Sequence, residues 1–145
     1  MTYGLFGVIL LGLDQGTKWL AKNFLEVPIT LFPGVSFRYA ENTGAAFSWP
    51  IPIWMSIGLG LVVAVWIIYW TQKTYRKEKQ KSLLFFWQIV FLAGVIGNLL
   101  DRVFFGAVSD FISLSSFPIF NLADIYITAG ILGWLQVESR KRNRC

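Results

Sequence analysis

Histidine is absent from this chain of 145 residues, and cysteine occurs once, at position 145. Without histidine the chain has no imidazole base, no Ser-His catalytic pair and no histidine zinc motif. A single cysteine can form neither a disulfide within one copy nor a thiolate metal site. The groups that remain for chemistry are carboxylates, lysines, hydroxyls and amides.

Charged residues are also scarce, at 14%, whereas 55% of the residues are hydrophobic and the mean hydropathy is +0.56. An ordinary soluble domain has about 45–50% apolar residues even when glycine is counted. The composition therefore predicts an integral membrane protein, and the length is that of one domain over residues 1–145. The net charge is +5, but the basic residues cluster beside hydrophobic runs, as topology signals do, so we expect no nucleic-acid partner.

Hydropathy predicts four transmembrane helices of about the 20 residues that cross a bilayer core. They cover residues 3–25, 51–70, 83–100 and 118–137. A cleaved signal peptide is the alternative for the first of them. However, no basic residue precedes Leu5, and Asp14 interrupts the apolar run. We therefore expect a retained helix.

The distribution of lysine and arginine predicts the orientation. Residues 71–82 contain five basic side chains and residues 138–145 contain four, whereas 26–50 and 101–117 contain one each. Because basic segments stay on the cytoplasmic side, we expect 71–82, 138–145 and both termini inside. Residues 26–50 and 101–117 are then extracytoplasmic.

The first external segment has the pattern of a β-hairpin. Residues 29–32 and 35–40 flank Pro33-Gly34, which is a strong turn signal. Within the second external segment, the part from Val103 to Phe117 is rich in aromatic and small residues and is expected to lie along the interface as a gate. The fold class is thus an all-α membrane protein with four transmembrane helices, a small extracytoplasmic hairpin or sheet and an interfacial segment.

Acidic residues inside or beside the spans need an explanation, because an ionised side chain at a helix centre costs roughly 2.5–3.5 kcal/mol. The predicted topology brings Asp14, Asp101, Asp110 and Asp124 to the outer membrane face. Asp124 lies among apolar neighbours about 9 Å below the expected helix start at Pro118. We interpret Asp124 as functional.

Two of the polar clusters also have structural interpretations. Asp14 and Lys18 are spaced i, i+4, which favours an internal ion pair over catalysis. Asn98 and Arg102 share that spacing, and Arg102 could neutralise Asp101, meet a lipid phosphate or act in a site. These readings of Arg102 stay open.

Two neighbouring aspartates can hydrolyse an amide without histidine, thiol or metal. Like charges a few ångströms apart cannot both ionise, so one carboxyl stays protonated while the other activates water. We hypothesise that Asp110 and Asp124 form this pair. Composition and spacing alone leave pairings with Asp14 or Asp101 open.

Four stretches, taken together and in order, resemble the lipoprotein signal peptidases of bacteria, or signal peptidase II. They read Asp-Gln-Gly-Thr-Lys at 14–18, Asn-Thr-Gly-Ala-Ala-Phe at 42–47, Gly-Asn-Leu-Leu-Asp-Arg at 97–102 continuing to Gly-Ala-Val-Ser-Asp-Phe at 106–111, and Phe-Asn-Leu-Ala-Asp at 120–124. Ser109 and Ile125 depart from the residues common at those places, without removing a group that the chemistry needs.

The resemblance implies a multi-pass aspartic endopeptidase of the bacterial cytoplasmic (inner) membrane. Its substrates would be prolipoproteins, cleaved before a cysteine that carries a diacylglyceryl group, and its other partners would be membrane lipids. It implies no cofactor, and we expect a monomer.

The resemblance also assigns roles to individual residues. Its motif positions make Asp110 and Asp124 the catalytic pair. The supporting residues would hold the substrate backbone (Asn42 and Arg102), orient the aspartates (Asn98 and Asn121) and hold the site together (Asp14 and Lys18). The Gly44-Ala45-Ala46 run lacks bulk, which suits close approach of a substrate chain.

Two other function classes compete with a peptidase. A small transporter or proton relay would also place acids and bases in spans. However, halves 1–72 and 73–145 share no matching broken-helix motif, and no acid is placed to relay charge toward the cytoplasmic face. A non-catalytic scaffold would leave the intramembrane acids unexplained.

Overall fold

The computed structural model describes residues 2–44, 51–78 and 83–142. Its elements, in chain order, are α1 (Thr2–Phe24), β1 (Ile29–Phe32), β2 (Val35–Asn42), α2 (Ile53–Glu78), α3 (Leu83–Phe105), β3 (Val108–Leu114), β4 (Phe117–Phe120) and α4 (Leu122–Arg142). The chain is thus mostly helical with a small antiparallel sheet. Positions 45–47 of the second motif and Cys145 lie outside the described residues.

Helix α3 is the central element, because α1, α2 and α4 all pack against it. In its most apolar window 56% of the residues are buried, against 17% in α2. Over the described ranges, two helices are long and apolar enough to cross a bilayer, Ile53–Arg76 and Leu83–Phe105. They overlap the second and third predicted spans, 51–70 and 83–100, and extend beyond them.

Glycines allow α3 and α4 to approach closely. A Cβ at Gly130 would lie 2.6 Å from the backbone nitrogen of Phe91, and one at Gly94 would lie 2.9 Å from that of Ile127. Real Cβ atoms do not come this close, so the two helices need glycine at both positions. This contact holds the first turn of α4 beside α3.

The sheet has the strand order β1-β2-β3-β4, and every neighbouring pair is antiparallel. The hairpin predicted around Pro33-Gly34 is confirmed, with Gly34 in the left-handed region at a φ of 91°. Pairing of β2 with β3 sets Ala40 opposite Asp110 and Asn42 opposite Val108. The hairpin therefore holds Asn42 beside the segment that carries Asp110.

The third helix is longer than predicted, and the second external segment is structured differently. Helix α3 runs past residue 100 to Phe105 and ends at Gly106, which has a φ of 75° and donates its N–H to the Arg102 carbonyl at 3.2 Å. The residues expected to lie along the interface form the end of α3 and strand β3. Its pairing with β2 buries backbone groups that an interfacial coil would leave unpaired.

The predicted start of the fourth helix at residue 118 is wrong. Pro118 lies in β4 at the edge of the sheet, where its missing N–H costs no ladder hydrogen bond. Helix α4 begins at Leu122, directly after Asn121. Asp124 therefore lies in the first turn rather than well below the helix start.

Candidate active site

Asp110 lies in the middle of β3, and its side chain is buried, with the residue 3% exposed. Two amides donate to its carboxylate, one to each oxygen. The Nδ2 of Asn121 lies 2.6 Å from Oδ1, and the Nδ2 of Asn42 lies 3.1 Å from Oδ2. The sheet and the start of α4 thus fix this carboxyl from both sides.

Asp124 is held by the N-terminus of α4. Asn121 caps the helix by accepting the N–H of Asp124 on its side-chain oxygen, and Asp124 Oδ2 accepts the N–H of Asn121 in return, both at 3.1 Å. This reciprocal capping box satisfies two backbone donors that would otherwise be unpaired. The other oxygen, Oδ1, accepts from Nδ2 of Asn98 at 2.8 Å.

Asp110 and Asp124 line the same cavity, which has a volume of about 480 Å³. Burial raises the pKa of Asp110 to about 6, and the nearby charge of Asp124 adds to the rise. Hydrogen bonds from Asn42 and Asn121 act in the opposite direction, because they stabilise the charged carboxylate. Asp110 therefore holds a proton more tightly than an exposed aspartate does.

An ion cluster lies immediately behind this pair. The Nζ of Lys18 is 2.9 Å from Asp14 Oδ2 and 3.3 Å from Asp101 Oδ2. All three residues are at most 3% exposed. The ion pair predicted between Asp14 and Lys18 is present, whereas Asp101 pairs with Lys18 and not with its neighbour Arg102.

Each acid of this cluster binds the backbone next to one aspartate of the cavity. Asp14 Oδ1 accepts the N–H of Ala123 at 2.9 Å, directly before Asp124. Asp101 Oδ2 accepts the N–H of Ser109 at 3.0 Å, directly before Asp110. Lys18 links the two acids and thereby ties the start of α4 to β3.

Asn98 connects the ion cluster to the cavity. Its side-chain oxygen accepts from Lys18 Nζ at 3.0 Å and from Asn121 Nδ2 at 3.2 Å, while its Nδ2 donates to Asp124. Both hydrogen-bonding groups of the amide are therefore used. One side chain joins α1, α3 and α4 at the site.

Arg102 holds the chain that follows β2. Its Nη1 donates to the Asn98 carbonyl at 3.1 Å, and its Nη2 donates to the Gly44 carbonyl at 3.3 Å. The Gly44 N–H in turn donates to Asn42 Oδ1 at 3.1 Å. The amide of Asn42 is thus hydrogen-bonded to both Asp110 and Gly44. Arg102 lines the cavity, and its buried Nε has no hydrogen-bond partner in the described part of the chain.

Sequence reasoning left two members of the site without a role. It gave none to Asp101 and did not single out Gln15, whose Nε2 donates to Asp14 Oδ2 and Asp101 Oδ1, both at 3.1 Å. Gln15 lies within the first motif, between Asp14 and Lys18 in sequence. Its place between two residues of the site was the signal that could have identified it as a member of the site.

Comparison with known proteins shows which protein family this chain belongs to. A family model described as signal peptidase (SPase) II matches residues 6–138. The lipoprotein signal peptidase of Bartonella tribocorum is 36% identical over 138 residues, covering 89% of this chain and 81% of the relative. That of Gloeothece citriformis is 39% identical over 139 residues, covering 89% and 83%.

Two solved structures of bacterial membrane enzymes, both obtained by the in meso method, share the fold. The structure at 2.3 Å resolution has a TM-score of 0.83 and 24% identity, and covers 99% of this chain and 90% of that chain. The structure at 1.9 Å resolution has a TM-score of 0.77 and 25% identity, and covers 94% and 91%.

Proposed function

Because the chain belongs to the signal peptidase II family, a family of aspartic peptidases, we propose that Asp110 and Asp124 are its catalytic pair. Membership of this family supports cleavage of lipoprotein signal peptides by an integral protein of the bacterial inner membrane. The finer proposal is that it cleaves diacylglyceryl-modified prolipoproteins at the bond before the lipidated cysteine.

One observation carries the assignment of the pair. Asp110 and Asp124 line one cavity, and amides hold both carboxylates there. By contrast, Asp14 and Asp101 are committed to Lys18 and to backbone N–H groups behind the cavity wall. Pairings that include Asp14 or Asp101 are therefore disfavoured.

The surroundings support different roles for the two carboxyls. Asp124 accepts a backbone N–H and an Asn98 amide at a helix N-terminus, which stabilises an anion. Asp110 is more deeply buried, and its raised pKa favours the protonated form. We assign Asp124 as the base and Asp110 as the acid.

Hydrolysis then proceeds by transfer of protons between this pair and the substrate. Asp124 takes a proton from water while the oxygen attacks the scissile carbonyl carbon, and Asp110 donates its proton to the carbonyl oxygen. When the tetrahedral intermediate collapses, the C–N bond breaks and the amine leaves with the proton from Asp124. The proton on the intermediate's hydroxyl returns to Asp110, which restores the pair.

The remainder of the cavity suits an apolar substrate. Below the carboxyls its walls are aliphatic and aromatic, with Leu59, Val63, Phe91 and Ile127 among them. Arg102 lies at the polar end and offers its unpaired Nε to a substrate carbonyl. Both aspartates come from one chain, which supports action as a monomer.

We also propose four membrane spans with both termini in the cytoplasm. Helix α1 buries Asp14 and Lys18 against the protein and exposes Leu5, Val8 and Leu13, which suits a lipid-facing surface. A membrane-impermeant maleimide should leave Cys145 unlabelled in spheroplasts and label it after permeabilisation. Labelling of Cys145 in intact spheroplasts would show that the orientation is opposite to the one proposed.

The substrate proposal is tested by mass measurement of cleavage products. Purified protein is incubated with one precursor peptide in two forms, with and without the diacylglyceryl group on its cysteine. We expect the lipidated form to be cleaved directly before that cysteine and the unlipidated form to remain intact. Equal cleavage of both forms would show that the enzyme does not recognise the lipid and would contradict the substrate proposal.

A further inference from the structure

A second cavity, of about 630 Å³, lies at the opposite end of the helices from the two aspartates. It is bounded by the C-terminal parts of α2 and α4 and the first turns of α3. Three indoles line it, from Trp66, Trp70 and Trp134, together with Lys73. The proposed peptide hydrolysis uses none of these residues.

Gln88 lines this cavity and is fully buried, at 0% exposure. Neither its Nε2 nor its Oε1 has a hydrogen-bond partner within the ranges that the structure describes. Buried amides almost always have partners, because losing water without gaining a hydrogen bond is costly. The amide of Gln88 thus has one donor group and one acceptor available to a ligand in the cavity.

The charge at this cavity favours a ligand with a phosphate. The Nζ of Lys73 lies 4.4 Å from the centroid of the Trp70 ring, at the cavity wall. Lys141 also lines the cavity, and Glu138 is the opposing acid, so the lining has a net positive charge. Indoles beside lysines are typical of the boundary between a bilayer and water.

The depths of these groups match the parts of a phospholipid. Gln88 follows the start of α3 at Leu83 by five residues, which is about 8 Å at 1.5 Å per residue. Lys73 lies near the end of α2, at the level of the basic segment. Lys73 precedes the end of α2 at Glu78 by the same number of residues, so its ammonium group and the Gln88 amide lie at similar depth. Trp66 and Trp134 lie deeper. In a phospholipid, the phosphate and glycerol groups likewise lie above the acyl chains.

We propose that this cavity binds one anionic glycerophospholipid of the cytoplasmic leaflet. Lys73 binds the phosphate, and the Gln88 amide binds a glycerol hydroxyl or ester group. The acyl chains lie against Trp66 and Trp134. Ile131 lines both cavities, so the chains extend along the protein toward the first cavity.

The test uses delipidated full-length protein in detergent, titrated with phosphatidylglycerol and with phosphatidylcholine of the same acyl chains. Native mass spectrometry counts bound lipid, and thermal unfolding measures stabilisation. We expect phosphatidylglycerol to bind at least ten-fold more tightly than phosphatidylcholine and to raise the Tm by several degrees. Inorganic phosphate should do neither. Equal effects of the two lipids, or stabilisation by inorganic phosphate alone, would overturn the proposal.

Variants at Gln88 test whether phosphatidylglycerol binds in this cavity. In Gln88→Leu we expect the delipidated protein to unfold at a higher Tm, because an unpaired amide is removed, and phosphatidylglycerol to bind at least ten-fold more weakly. Gln136→Leu is the matched control, since Gln136 is exposed on α4 outside the cavity, and it should bind as the unmodified protein does. Unchanged affinity in Gln88→Leu would overturn the proposal.

Two further variants separate this lipid from the substrate. Lys73→Gln should abolish the preference for phosphatidylglycerol, whereas Asp110→Asn should leave it intact, because binding does not depend on the peptidase chemistry. If Lys73→Gln instead raises the KM for a lipidated precursor and leaves phosphatidylglycerol binding unchanged, the cavity binds substrate and the proposal fails.

Discussion

The individual polar residues divide into those that line the first cavity and those that hold its walls. Sequence motifs indicated most of these residues, but they could not predict which side chains contact each other. Asp101 adjoins Arg102 in sequence, which suggested a local pair, yet it binds Lys18 of α1. Contacts between residues so distant in sequence depend on how the helices pack, and no local pattern records them.

The raised pKa of Asp110 predicts a pH dependence. If Asp110 must hold a proton, kcat/KM falls as the pH rises above about 6, where this carboxyl ionises. Asn42→Leu removes a donor that stabilises the carboxylate, so the decline should move to higher pH. A pH profile of both proteins on a lipidated precursor measures this. A decline that moves to lower pH in Asn42→Leu would contradict the assignment.

The same shift affects stability. The folded protein binds the Asp110 proton more tightly than the unfolded chain, whose aspartates titrate at about 3.9. The contribution of this group to the free energy of unfolding is therefore fully present below about pH 3.9 and is lost as the pH rises through about 6.

The ion cluster predicts a ranking of destabilised variants. Lys18→Met leaves two buried acids without their cation and should lower the free energy of unfolding by about 3–5 kcal/mol. Asp14→Asn keeps the pair of Lys18 with Asp101 and an oxygen for the Ala123 N–H, so its loss should be smaller. Thermal unfolding in detergent measures both.

The matched control is Lys22→Met, one turn further along α1. The Lys22 side chain is 51% exposed and lies 3.8 Å from Glu41, so its loss should change stability by less than about 1 kcal/mol. An Asp14→Asn variant that loses all turnover while keeping full stability would show that Asp14 takes part in the chemistry.

Among the helices and strands, local sequence signals predicted some elements and misplaced others. Pro33-Gly34 correctly indicated the hairpin, because few conformations suit that pair. Strand β3 was missed since Val108, Ser109, Asp110 and Phe111 are all buried and show no alternation. Apolar residues 117–120 continue the hydropathy of α4, so the helix start was placed too early.

The contact between α3 and α4 predicts a sensitive glycine. In Gly130→Ala the new Cβ would lie 2.6 Å from the backbone of Phe91, which forces the helices apart and should cost about 1–3 kcal/mol. Gly12→Ala is the matched control, because nothing lies within 4 Å of a Cβ there. Equal changes in Tm for both variants would show that the close approach is unimportant.

Over the whole molecule, hydropathy and the order of the motifs predicted a membrane protein with a small sheet and a polar site. The site depends on three layers that meet at one place. The sheet carries Asp110, the capped start of α4 carries Asp124, and the ion cluster holds the two together. In the ion cluster, Lys18 forms ion pairs with both Asp14 and Asp101. A search for i, i+4 pairs along single helices does not reveal the second of these pairs.

The central claim is that Asp110 and Asp124 perform the hydrolysis. It is tested most directly by measuring turnover of a lipidated precursor by Asp110→Asn and Asp124→Asn, each with Glu26→Gln, an exposed acid after α1, as the matched control. We expect each aspartate variant to fold, to insert into the membrane and to lose activity by at least about 1,000-fold, as loss of a catalytic group does. Glu26→Gln should keep full activity. Full turnover by a correctly folded Asp110→Asn or Asp124→Asn variant would contradict the account.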